Sequence, residues 1–185
     1  RKVVKDLVMD ALDFINDAEL RKTIEGSIEF TYALLEESKR KRNSRLYQRE
    51  TYRVIVLYAV SVIEAVLLYL YKKSGEEMTF ADYKFVQKLP PEFRRVGSEA
   101  SAVVVAVQKI QNKAEHQIGI KELTEFFKKK GWMAKEMDRL LPINDLRNTF
   151  HLFKPRGERT CSIRQVEASL KLLVDVIERG AKIGS

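Results

Sequence analysis

The sequence predicts an all-α fold, a multi-helix up-and-down bundle around one long buried central helix. Three observations predict it. Breakers are scarce, with 8 Gly and 4 Pro in 185 residues, too few for a turn-rich β fold. Apolar residues recur at three- and four-residue spacing along most of the chain. One stretch, Val54 to Tyr71, is apolar except for Ser61 and Glu64, and a helix apolar on all sides sits inside a bundle or spans a membrane. The length suits one ordinary domain with a real core, so residues 1–185 are read as a single helical bundle domain.

The elements follow in order. Val4, Leu7, Val8, Leu12 and Ile15 have helical spacing. Asn16 and Glu19 then match a capping box, an N-cap side chain answered by a carboxylate three residues on. The helix they open carries Leu20, Ile24, Ile28 and Leu35 inward and runs out in the basic segment Lys39-Arg40-Lys41-Arg42. The central helix is expected from about Leu46 to Lys73, with Gly75 placed to close it in a left-handed conformation. Thr79 is read as the cap of a short helix to Gln87, stopped by Pro90-Pro91. Glu99 to Lys113 reads as a further helix with Val103, Val104, Val107 and Ile110 inward. Lys121 to Lys130 forms the next, closed by Gly131, and Lys128-Lys129-Lys130 reads as its solvent-facing end. Trp132 to Leu141 is helical until Pro142 breaks it, and Ile143 to Phe153 forms a separate helix. Lys154-Pro155-Arg156-Gly157 is a turn. Ser162 and Gln165 cap the last helix, whose stripe is Val166, Leu170, Leu173, Val174 and Ile177 and which Gly180 closes.

Charge and cysteine usage narrow the function classes. The formal net charge is +8 and the pI about 9.5, a balance suited to nucleic acid or an anionic membrane surface. Cys161 is the single cysteine, so no disulfide framework forms within the chain, and a reducing cytoplasm is the expected location. The N-terminal residues lack the charged–apolar–small pattern of a signal peptide. Glu64 in the middle of the apolar run argues against a membrane span. His116 and His151 stand on separate elements without metal-ligand spacing. A Walker loop, a Gly-x-Ser-x-Gly elbow and a His-Glu-x-x-His helix are all missing from the sequence. No cofactor and no metal are expected.

The polar motif Arg147-Asn148-Thr149-Phe150-His151 carries the chemistry. On a helix from Ile143, the apolar residues Ile143, Leu146, Phe150 and Phe153 share one face. Asn144, Arg147, Asn148, His151 and Lys154 share the other. Arg147 and His151 are four apart and would meet the same small ligand. Arg offers a planar fork of donors that suits phosphate oxygens. His titrates near neutrality and can take a proton from a 2′-hydroxyl or give one to a leaving oxygen. Asn148 would orient either group. Together they would be able to cleave RNA without a metal. The alternative is a plain solvated helix face.

Two further features have two readings each. Glu64 needs a partner in its apolar surroundings. That partner is either Arg147 or His151, which Glu64 would then orient, or an unrelated cation. The basic run Lys39, Arg40, Lys41, Arg42, Arg45, Arg49 and Arg53, interleaved with Tyr47 and Tyr52, either tracks a phosphate backbone with tyrosines as stacking platforms or is a solvated helix junction.

Asp145-Leu146-Arg147-Asn148-Thr149-Phe150-His151, together with Leu57-Tyr58-Ala59-Val60-Ser61-Val62-Ile63-Glu64-Ala65, resembles the HEPN superfamily. The resemblance implies a helical bundle that forms a homodimer and brings the Arg–His motifs of two protomers together. It implies RNA as partner, and a metal-independent endoribonuclease of a toxin–antitoxin or defence system, with a protein antitoxin or partner domain as a further partner. Other members of the family are inactive binding partners, which makes a non-catalytic dimerisation module the alternative. The family signature has four to six residues between Arg and His, whereas three separate Arg147 from His151. One residue fewer rotates His by about 100° on an ideal helix, and unwinding before Lys154-Pro155 would restore the meeting.

Overall fold

Local chemistry sets the ends of the helices. The computed structural model describes residues 8–40, 44–88, 104–150 and 160–184. Residues 8–10 are helical and continue into a 3-10 turn, Ala11–Phe14, that buries Leu12 and Phe14. Helix α1 spans Ala18–Ser38. Its cap is Asp17, whose Oδ1 accepts from the Leu20 N–H at 3.0 Å. The expected cap, Asn16, is one residue early, and its own N–H donates to the Tyr69 hydroxyl at 3.0 Å. Ile24, Ile28 and Leu35 are buried, as the stripe required.

Helix α2 spans Arg45–Lys73, 29 residues, about 44 Å at 1.5 Å per residue. Ser44 caps it, Oγ accepting from the Tyr47 N–H at 3.1 Å. Gly75 follows its end at φ 70°. It is the central helix, packed by α1 and by the three helices that follow. It is also long and apolar enough to cross a membrane, yet 56% of its most apolar window is buried inside the protein.

Residues 79–88 and 104–112 are strands, which corrects the two helices expected there. β1 (Thr79–Lys88) pairs antiparallel with β2 (Val104–Asn112), Thr79 opposite Asn112 and Lys88 opposite Val104, with an irregularity between Phe85 and Gln87. The physical reason is side-chain shape. Val104, Val105, Val107 and Ile110 are β-branched, and Phe80, Tyr83 and Phe85 are aromatic. Such residues favour a pleated strand over a helix of the same spacing. Pro90-Pro91 lies outside the described residues.

Helix α3 (Ile120–Lys130) is closed by Gly131 at φ 69°. Helix α4 (Ala134–Asn148) is continuous through Pro142, against the expected break. Pro142 is exposed, so water can serve the carbonyl that its missing N–H leaves open. The helix ends at Asn148 rather than Phe153, and Thr149 and Phe150 form a turn through N–H bonds to Leu146 O and Arg147 O, both 3.1 Å. The turn expected at 154–157 lies outside the described residues.

Helix α5 (Ile163–Gly184) opens on the expected capping box. Ser162 N–H donates to Gln165 Oε1 at 2.8 Å, and Gln165 N–H to Ser162 Oγ at 3.4 Å. Gly180 does not close it. A Cβ at that position would lie 3.0 Å from Phe14 Cζ and 3.2 Å from Leu70 Cδ1, so glycine there permits close packing and the helix runs on.

The fold is thus an all-α helical bundle with one β-hairpin in the chain between α2 and α3. The described residues of Arg1–Gly75 and Gly119–Ser185 form one compact unit, and those of Glu76–Ile118 a second.

Candidate functional site

The site grows from one flank of α2. Arg53 and Glu64 are eleven residues apart, three helical turns, and so lie on one side of the helix about 16 Å from each other. The C-terminal end of α4 runs antiparallel along that side. Arg147 reaches Glu64, and Phe150 reaches Arg53. Leu146, beside Arg147 in the same helix end, is buried.

Arg147 makes its contacts through one nitrogen. Nη1 lies 3.4 Å from Glu64 Oε2 and 3.3 Å from Asn144 Oδ1. Both are long for charge-assisted hydrogen bonds. The Arg147 and Glu64 side chains are 25% and 31% exposed. Among the described residues, Nε and Nη2 have no hydrogen-bond or ion-pair partner. Glu64 therefore meets a cation, and that cation is Arg147. Asn148, the last residue of α4, is exposed. His151 lies outside the described residues. The helix that would have paired it with Arg147 at i,i+4 stops three residues before it.

Arg53 is a component that the sequence reading placed only in the basic run. Its guanidinium carbon stands 5.5 Å from the centre of the Phe150 ring, and Nη1 is 3.0 Å from Glu50 Oε1. A cation over a ring is worth about 0.5–1 kcal/mol at a partly exposed site. This contact holds the turn after α4 against α2. Cys161 also lies near it. Burial pushes the Cys161 thiol up to about 11, and the Arg53 charge pulls weakly the other way. The signal that would have found Arg53 is its three-turn spacing from Glu64.

The basic run is partly neutralised where it is described. Lys39 pairs with Glu36, Arg40 with Glu37 at 2.8 Å, and Arg49 with Glu50 at 3.2 Å. Arg45 is exposed, as are Tyr47 and, beside it, Leu46. Lys41 and Arg42 lie outside the described residues. From Glu36 to Arg53 the chain carries seven Lys or Arg against three Glu, so the segment stays cationic after local pairing. His116 is exposed in a short 3-10 turn. Among the described residues no group of three or more His, Cys, Asp or Glu is arranged to hold a metal.

No family model matches the chain, and no curated protein or solved structure is significantly similar to it.

Proposed function

We propose that this chain is a HEPN-like RNA-binding protein that cleaves RNA without a metal. In this reading Arg147 holds the scissile phosphate, His151 acts as general acid or base, and Asn148 orients them. One observation carries it: the Nε–Nη2 edge of Arg147 has no hydrogen-bond partner among the described residues. Glu64 and Asn144 fix the guanidinium at one corner and leave the edge that binds a phosphate in a bidentate way. The cationic segment from Lys39 through Arg42 to Arg45 and Arg49 would track the backbone of the same RNA. The resemblance implies a homodimer. A second reading, a non-catalytic interaction module, has its own support: Glu64 offsets part of the Arg147 charge.

The test is cleavage of labelled mixed-sequence RNA in EDTA by wild type, Arg147→Ala and His151→Ala. Cleavage by wild type alone is the expected result. A folded wild type that leaves RNA intact, yet binds it with an affinity that falls with salt, would move the function to RNA binding. The expected salt slope is about 0.7 per phosphate contact on a single strand. Absence of both activities would favour the interaction module.

A further inference from the structure

Helix α2 is buried on one side only. Its buried residues run from Thr51 to Tyr71. The opposite side presents Glu50, Val54, Leu57, Ser61, Ala65, Leu68 and Lys72, and none of these is buried. At 100° per residue they fall within an arc of about 80°, a straight row along about 33 Å of helix. The row is apolar or small over its whole middle and charged only at its two ends.

Its order has a symmetry. Counted from Ser61, the positions are four, seven and eleven residues away in both directions. We infer that a second copy of this chain packs against this row, antiparallel, with the twofold axis at Ser61. Leu57 then faces the second copy's alanine at position 65, a large side chain against a small one. Val54 faces leucine at position 68. Glu50 faces lysine at position 72, and each such contact occurs twice, as a twofold interface requires.

Charge selects this pairing over the others. A parallel pair in register would set Glu50 against Glu50 and Lys72 against Lys72, and like charges at both ends would oppose it. Glu50 already receives Arg49 and Arg53. Its side chain is still 48% exposed, and an ionised carboxylate has acceptor sites for a further donor. The tilted ring pair Phe30 and Tyr58, ring centres 5.0 Å apart, borders the row and stands 44% and 39% exposed. Antiparallel packing brings the α1 sides of both copies together, so these rings are covered by the same event. This surface and pairing go beyond the dimer that the resemblance implies, and they hold or fail independently of RNA cleavage.

Cysteine cross-linking tests the geometry. Cys161 is the single native cysteine and is buried, so wild type is the silent control. Ser61→Cys sits on the axis and should give a covalent dimer on mild oxidation. Val54→Cys alone should not, because two such positions lie about 21 Å apart along the helices. Mixed with Leu68→Cys it should. Sedimentation tests the charges: Glu50→Lys or Lys72→Glu should weaken the dimer several-fold, and the two together should restore it. Cross-linking of Val54→Cys with itself would overturn the antiparallel pairing. So would a double swap weaker than either single. A wild type that is monomeric alone and floats with neutral-lipid vesicles would assign the row to a bilayer and end the inference.

Discussion

A phosphate that approaches Arg147 also approaches Glu64. The carboxylate holds Nη1 and would stand on the order of 7 Å from a phosphate on the Nε–Nη2 edge. Two such charges repel by about 1 kcal/mol in a half-solvated site. Glu64→Gln keeps the shape and one acceptor while it removes the charge. It should therefore tighten RNA binding about fivefold, read by anisotropy of a labelled RNA at fixed salt. Weaker binding in Glu64→Gln would mean that the ionic contact is needed to aim the guanidinium. Cys161 offers a second check of the same corner. Its thiol titrates near 11 because it is buried, so at pH 8 about one molecule in a thousand carries a thiolate. A disulfide reagent should react slowly with the native protein and at once after denaturation. The proton balance has a definite sign. The folded value is raised from its ordinary 9.0, so the folded state holds the proton longer. The stability this contributes is complete below pH 9 and is lost as pH rises towards 11.

At the scale of elements, two glycines in helices should respond in opposite ways. Gly26 is exposed in α1, and a Cβ there would meet nothing within 4 Å. Gly26→Ala should stabilise by about 0.5–1 kcal/mol, since the unfolded chain loses freedom and no contact changes. Gly180 is buried in α5 against Phe14 and Leu70. Gly180→Ala should cost about 1–3 kcal/mol by overpacking. Urea midpoints would show both, and a neutral Gly180→Ala would mean that the Phe14 ring gives way. The pair also marks what a sequence reveals. α2 was legible because an unbroken apolar run has few other uses, and α5 because its cap and stripe agree. Glu64 needed a cation for the same local reason. The hairpin was not legible, because Val104, Val107 and Ile110 fit a helical period as well as a strand, and shape decided between them. Gly180 reads as a stop until Phe14 is seen beside it. Arg53 and Phe150 are 97 residues apart, and only the docking of α4 along α2 brings them together.

At the scale of the molecule, charge and core both belong to the helical unit. Residues 76–118 carry six Lys or Arg and six Asp or Glu, so the formal charge of +8 resides wholly outside them. Among the described side chains, every buried apolar one except Ile118 is in the helical unit as well. Both facts predict that the hairpin can be cut out. The Tyr71 and Phe126 rings meet at 5.2 Å, which holds the end of α2 near α3. A Gly/Ser linker of about eight residues, reaching up to about 27 Å, should then join Gly75 to Gly119. The shortened chain should keep its helical circular dichroism, melt within a few degrees of wild type and bind RNA with the same salt slope. Because the slope counts phosphates neutralised, it reads the location of the charge directly. A folded bundle with a shallower slope would place part of the RNA contact on the hairpin despite its zero net charge. A bundle that no longer melts cooperatively would show that the two units need each other to fold.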